Sequence, residues 1–383
     1  MKKTVVLALL CLVNIVCFSQ QKKVQHRFSL EGTIDCTAKG TVYFRYDDAK
    51  DRFVTDSALL EDNHFKIKGF INGPTIAFLS TTKKALPQDD DEDAMKADGK
   101  NSTLFFLEPS AMKAKLHTDN FRNASFTGSF TQSQYAKYTN KLNIITDEYK
   151  AGTDSVNAIT ALDKEQKAES IQRLANIRNA ASSDLLHHFI NNNPHSYITA
   201  YLVSGSHFKL DSLNHYYSRL PLPVKLSAYG KIIKEKIHQK EKLSVGRPAP
   251  QFKQATSTGD SVALKDFLGK YVLLQFWSST NNASRAENQQ LIALYNQFKN
   301  KNFVIIGISV DGQKTKLLWK AALEKDQLPW MQLAALKSSH NQAVMAYDVQ
   351  SVPANFLIGP GGKIAGADMG VAKLSALLGK TLK

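Results

Sequence analysis

Three cysteines, ten histidines and one run of five acidic residues are the side chains whose types could carry redox, nucleophilic or metal chemistry. Cys11 and Cys17 lie in an N-terminal stretch that combines Lys2 and Lys3 with an apolar run from Val5 to Val16 and a small-x-small ending, Cys17-Phe18-Ser19. That pattern predicts a cleavable secretory signal, residues 1–19, cut after Ser19. Cys36 is then the only thiol left, so no internal disulfide can form, although an exported protein meets an oxidising compartment. A lone cysteine beside a strand reads as a small buried apolar residue; pairing with another chain is the alternative. A lipid-modified Cys17 would be a second outcome of the leader, but Val16 stands where a lipoprotein signal normally has a small residue.

The histidines and carboxylates do not assemble a metal site on paper. His187, His188, His195, His207 and His215 fall in one helical stretch, yet no pair has the i,i+4 spacing that puts two imidazoles on one face. A calcium loop starting at Asp89 in the run Asp89-Asp90-Asp91-Glu92-Asp93 would place Ala94 where the turn needs glycine and Lys100 where a bidentate glutamate belongs. That run reads as a solvated hairpin tip. No metal and no cofactor is expected.

The elements around these residues point to more than one domain, since a chain of 383 residues exceeds one ordinary core. No segment after the leader reaches about 18 uninterrupted apolar residues, so no membrane span is expected. The formal charge of +15, less the two leader lysines, raises the question of nucleic acid. Its densest stretch, Lys231 to Lys242, alternates with Ile232, Ile233, Ile237, Glu235 and Glu241, the pattern of an amphipathic helix with a solvated face. No aromatic platform accompanies it, so no nucleic-acid partner is expected.

From Arg27 to Ser129 the chain has short β-branched and aromatic runs, such as Thr41 to Phe44 and Phe65 to Ile67, separated by turns such as Asn72-Gly73-Pro74. From Gln132 to Leu243 it carries helical periodicity, as in Ile171 to Ile190, broken at Asn191 to Pro194 and at Pro221 and Pro223. Beyond Val245 a turn at Thr258-Gly259-Asp260 precedes the apolar run Tyr271 to Trp277, which reads as a central buried strand. A helix containing Leu291, Leu294, Tyr295 and Phe298 follows. Then come a strand from Phe303 to Val310, a helix from Lys314 to Lys325, and terminal strands at Asn355 to Ile358 and Lys363 to Ala365. Strands alternating with helices imply a sheet with at least one parallel βαβ unit. The expected domains are thus a β-rich domain over 20–130, antiparallel in kind, a helical connector over 131–244 and an α/β domain over 245–383.

The residues after the central strand read Phe276-Trp277-Ser278-Ser279-Thr280-Asn281-Asn282-Ala283-Ser284-Arg285-Ala286-Glu287. With Val245 to Phe252 and Ser351-Val352-Pro353-Ala354-Asn355, they resemble the thioredoxin-like proteins of the TlpA and AhpC/TSA group. In that group the frame runs Phe-Trp-Ala-Ser-Trp, then Cys-x-x-Cys-Arg-Ala-Glu. The pieces Phe28 to Gly32, Asp56 to Ala58, Phe65 to Gly69, Phe106 to Pro109 and Phe126 to Ser129 resemble the uncharacterised β-rich domain that precedes thioredoxin domains in many Gram-negative envelope proteins.

The resemblance implies a thioredoxin-like fold whose redox cysteines fall on Asn281 and Ser284, with Ala283 where a proline is common. Disulfide exchange needs a thiolate, which an amide or a hydroxyl cannot supply. Gln275 stands where the group often carries a carboxylate that moves protons, and it cannot titrate. A peroxidatic Thr-x-x-Cys frame would run from Thr280 to Ala283, again without sulfur. A nucleophilic Ser284 would need a base, and His340 is the candidate. The resemblance further implies a cis bond before Pro353 and a peptide-docking surface of Trp277, Thr280, Asn281, Val352 and Pro353, with free N–H groups at the helix start.

Three functions remain open at this point. One is a redox-inactive binding or scaffold module in the periplasm or cell envelope, with an unidentified protein or peptide partner. Another is a thiol-disulfide oxidoreductase or antioxidant redoxin, with activity from Cys36 or a partner's thiols. The last is a module for envelope glycans or glycoproteins. Asp-Ser-aliphatic triplets at Ser57, Ser155, Ser212 and Ser261 resemble an O-glycosylation acceptor of some exporting bacteria, and also suit turns.

Overall fold

The computed structural model describes residues 25–35, 40–50, 52–83, 86, 102–118, 120–256, 261–335 and 341–382. The expected signal, Cys36, the acidic run 89–93, the turn 258–260 and His340 lie outside the described residues. The chain divides into two compact units, one of residues 1–191 with 196–198, the other of 192–195 with 199–383.

The first unit contains strands β1 (His26–Ile34), β2 (Thr41–Asp47), β3 (Phe53–Leu59), β4 (His64–Ile71), β5 (Thr75–Ser80), β6 (Ser102–Leu107), β7 (Ala111–Leu116) and β8 (Ser125–Thr127). They form two four-stranded sheets, ordered β4-β1-β7-β8 and β3-β2-β5-β6. Buried and exposed residues alternate along β4 and β7, as the two-residue period of a half-covered strand requires. The inward faces of both sheets share one core, with Phe28 and Leu30 from one sheet and Phe44, Leu79 and Phe105 from the other. The ladders are antiparallel except β1 with β7, which run parallel because the chain builds the second sheet between them.

Helices α1 (Phe130–Ala158) and α2 (Lys164–Asn192) complete this unit. Ser129 caps α1 by accepting from the Gln132 amide at 2.9 Å, and the Gln132 side chain accepts from the backbone N–H of Phe106 at 2.7 Å. The helix start thus satisfies a donor of edge strand β6.

The stretch expected as one helical connector is divided between the units. The break at Asn191 to Pro194 ends α2, and beyond α3 (Tyr197–Ser204) lie α4 (Leu210–Arg219), α5 (Leu222–Lys225) and α6 (Ala228–Lys242). Local packing explains the division: α1 lies against β6 and β8, whereas α4 and α5 pack on α6. Within α6, Ile233 and Ile237 are buried. Lys231 and Lys234 face solvent, but Lys236 is half-buried, its Nζ donating to the Ser204 carbonyl at 2.6 Å, and burial lowers its pKa.

The C-terminal domain opens with a hairpin of β9 (Lys253–Ala255) and β10 (Ser261–Ala263). It continues as β11 (Tyr271–Trp277), α7 (Asn282–Phe298), β12 (Phe303–Ser309), α8 (Lys316–Asp326), β13 (Met331–Ala334), α9 (Gln342–Ala346), β14 (Ala354–Ile358), β15 (Ile364–Ala367) and α10 (Val371–Thr381). The sheet order is β13-β12-β11-β14-β15, with β11, β12 and β13 parallel, β14 antiparallel to β11 and β15 antiparallel to β14. Central strand β11 sends Val272, Leu274 and Phe276 into a core with Tyr347 and Phe356, and Leu273 into a second core with Leu291 and Phe298 of α7 and Leu374 of α10. Both faces of the sheet are therefore covered, which is why β11 reads as an unbroken apolar run.

Candidate functional site

The turn between β11 and α7 is fixed from three sides. Asn281 is the N-cap of α7: its Oδ1 accepts from the backbone N–H of Ser284 at 2.8 Å, and its Nδ2 donates to the carbonyl of Val352 at 3.2 Å. The Val352–Pro353 peptide bond is cis. One amide therefore ties the helix start to the cis-proline loop. The N–H groups at the start of α7 are accordingly not all free, because the cap itself takes that of Ser284. Thr280 stands exposed at the tip of the turn.

Ser284 is fully buried, and among the described residues its Oγ has no hydrogen-bond partner. Withdrawn from solvent and without a base among the described residues, that hydroxyl is not activated as a nucleophile. Trp277 does not line a docking surface. Its side chain is fully buried, packed with Trp319 and Ala322 of α8, and its Nε1 donates to Gln332 Oε1 at 3.0 Å. The reason is the alternation of β11, which turns Trp277 to the same covered face as Leu273. Gly307 makes this packing possible, since a Cβ there would lie 2.3 Å from Gln332 Oε1.

Asp311 is a second support that the sequence does not reveal. Only 5% exposed, its carboxylate accepts from the Ser279 N–H at 2.8 Å, the Ser279 hydroxyl at 2.7 Å and the Ser309 hydroxyl at 2.6 Å. Arg285, one turn into α7, makes a two-pronged ion pair with Asp326 at the end of α8, at 2.8 and 2.5 Å. These contacts hold the turn and both helices on one frame.

Gln275 lies in the interior, facing α7. Its Nε2 donates to Glu287 Oε2 at 3.2 Å, and Asn355, its cross-strand partner, approaches Glu287 Oε1 at 3.5 Å. Asn355 also bonds the Met369 backbone in both directions at 2.9 Å, so its amide orientation is fixed. Burial, followed by the Asp368 charge, raises the Glu287 pKa against the lowering effect of the two amides. Glu287 appears in the sequence only as part of the motif flank, with nothing to mark it as half-buried.

Glu287, Asn355, Pro353 and Asp368 line a cavity of about 810 Å³ within the C-terminal unit, with Lys373 of α10 and Lys209 at the start of α4. Among the described residues no group of three or more histidine, cysteine or acidic side chains could hold a metal ion, and no helix is long and apolar enough to cross a membrane. Of the triplet serines, Ser57, Ser155 and Ser261 are exposed and Ser212 is half-buried.

The AhpC/TSA family model matches residues 245–367, and a model described as a domain of unknown function, DUF4369, matches residues 28–135. The bcp protein of Helicobacter pylori, which carries a peroxiredoxin name, is 40% identical over 76 residues, covering 20% of this chain and 50% of that protein. The chain thus spans about half the length of that relative. The thiol-disulfide oxidoreductase ResA of Bacillus cereus is 30% identical over 125 residues, covering 33% of this chain and 69% of that protein. Among solved structures, the thioredoxin domain of a thiol-disulfide oxidoreductase from Bacteroides vulgatus is 33% identical, covering 37% of this chain and 99% of that one, with a TM-score of 0.34. With Phe276, Trp277, Ser279, Arg285, Ala286 and Glu287 kept from the frame and its sulfurs replaced, the chain belongs to the AhpC/TSA redoxin family through a thioredoxin-like C-terminal domain, which follows a separate DUF4369 domain.

Proposed function

We propose that this chain is a redoxin without redox chemistry, a binding module of the cell envelope that holds polypeptide segments at its cis-proline loop. The observation that carries this reading is the Asn281 amide. At the first motif position it offers no sulfur, and it bridges the start of α7 to the Val352 carbonyl. Ser284 at the second position is sealed in the core. Thiol-disulfide exchange proceeds by attack of a thiolate, and neither side chain yields one. The cavity beside Pro353 meanwhile remains open and of a size suited to a ligand. The leader-like residues 1–19 support export to the envelope.

The binding claim is tested with a permanently unfolded, thiol-blocked protein, carboxymethylated α-lactalbumin, titrated into the chain from residue 20 onward. Saturable binding is expected, and Ser351→Trp, which fills the cavity beside the loop, should weaken it about tenfold, the equivalent of about 1.4 kcal/mol. Absence of binding would remove the polypeptide-holding role. The reading of an active thiol-disulfide oxidoreductase draws on the ResA relatives. It requires the sulfur to come from Cys36 or from a partner.

A further inference from the structure

Four strands stand at the rims of the two sheets of the first unit, and three of them are closed to further pairing. β6 gives its Phe106 N–H to the Gln132 side chain at 2.7 Å and lies against α1. β8 is three residues long, and β4 carries the exposed lysines Lys66 and Lys68. A covering helix, shortness and lysine are ordinary ways in which a sheet edge is kept from recruiting another strand. β3 has none of them. Its seven residues, Phe-Val-Thr-Asp-Ser-Ala-Leu, contain no lysine and no proline, and they follow β2 in unbroken register from Phe53 to Leu59.

The register decides which groups face outward. Bonds from the Asp48 N–H to the Arg52 carbonyl and from the Leu60 N–H to the Gly40 carbonyl, both 2.9 Å, bracket the ladder. Both fall at even-numbered positions, so by the two-residue period of an antiparallel pair Val54, Asp56 and Ala58 bond to β2. The N–H and C=O groups of Phe53, Thr55, Ser57 and Leu59 point the other way. The Ser57 N–H turns back to the Asp56 carboxylate at 2.7 Å, and the other three residues have no backbone partner on that side among the described residues. Such a row of donors and acceptors is complementary to an extended backbone.

A second copy of β3 fits this edge poorly. Pairing all seven residues antiparallel with their own copy sets Phe53 against Leu59 and Asp56 against Asp56, and like charges directly opposite each other destabilise a sheet. A segment with a basic residue at that position replaces the repulsion by attraction. We propose that β3 takes an extended segment of another polypeptide as a fifth strand of its sheet, with a lysine or arginine of that segment opposite Asp56. The site lies in the unit that does not contain the cis-proline loop, and it does not depend on the function proposed for that loop.

The test is fluorescence anisotropy on the chain from residue 20 onward, with three labelled peptides of alternating threonine and valine. One has a central lysine, one a central glutamate, and one the lysine with its central residues N-methylated, which removes donors on both edges. The lysine peptide is expected to bind saturably, the glutamate peptide about threefold more weakly and the methylated peptide about tenfold more weakly or worse. Ser57→Pro removes an outward N–H at an edge position that tolerates proline, leaves the ladder to β2 whole, and should weaken binding of the lysine peptide about tenfold. Ser351→Trp, at the cis-proline cavity, should leave that binding unchanged. Hydrogen exchange of the wild type keeps the test open should Ser57→Pro fail to fold: the lysine peptide should protect the amides of Thr55 and Ser57. Absence of binding, equal binding of the methylated or the glutamate peptide, or no gain of protection at Thr55 and Ser57 would overturn the proposal. So would a loss of binding in Ser351→Trp alone, which would place the peptide at the cis-proline loop. A dimer of the free chain that Ser57→Pro dissolves would give the edge to a second copy and overturn it as well.

Discussion

Trp277→Ala should destabilise the C-terminal unit by about 4 kcal/mol, the range of a buried Trp-to-Ala truncation in a core. The side chain has no exposed surface, and its indole packs on Trp319 and Ala322. Removing it also strands Gln332, a buried residue whose Oε1 accepts the indole N–H at 3.0 Å. The strand opposite cannot close the gap, because Gln332 already fills the space that Gly307 leaves open. Trp277→Phe keeps most of the apolar area and loses one hydrogen bond, so it should cost about 1 to 2 kcal/mol. Urea denaturation followed by far-UV dichroism measures both. A cost for Trp277→Ala below about 1 kcal/mol would return this residue to the surface and to a direct part in ligand contact.

Asp311→Ala should cost about 3 kcal/mol and loosen the turn that carries Thr280 and Asn281. The carboxylate collects a backbone N–H and two hydroxyls at 2.6 to 2.8 Å in a buried position. Its loss leaves the Ser279 N–H without a partner and away from water. Asp311→Asn retains an acceptor and should recover part of the cost. Hydrogen exchange reads the local effect, with the amide of Ser279 expected to lose its protection in Asp311→Ala while core amides of β11 keep theirs. If Ser279 stayed protected, the turn would be held by the Asn281 bridge and the Arg285–Asp326 pair without Asp311.

The fold of the C-terminal domain is legible in the sequence because local signals there agree with tertiary placement. The apolar run Tyr271 to Trp277 is β11, covered on both faces, and the period of Leu291, Leu294 and Phe298 is the buried stripe of α7. What the sequence hides is whatever depends on contacts between distant segments. Asp311 meets Ser279 across 32 positions, and a Ser-Ser pair carries no mark of a buried carboxylate beneath it. Strand β13 is four residues long, too short for a period to show. Trp277 reads as a site residue because the resemblance places it beside the motif, and only the alternation along β11 assigns it to the core. Lys236 belongs to a helix whose Lys231, Lys234 and Lys242 face solvent, and its burial is matched by the carbonyl of Ser204, 32 residues away. The division of the helical stretch follows the same rule, since nothing in the period of a helix names the sheet or helix it will pack on.

The most direct measurement is catalysed reduction of a protein disulfide by the purified chain from residue 20 onward. It is run beside Cys36→Ser and beside a variant with both Asn281→Cys and Ser284→Cys. The wild type and Cys36→Ser are predicted to add nothing to the uncatalysed rate, whereas the double-cysteine variant, with its first thiol at the start of α7, is predicted to turn over. Turnover by the wild type that disappears in Cys36→Ser would contradict the account, because the sulfur would then come from the other domain and the Asn281 bridge would not mark an inactive site.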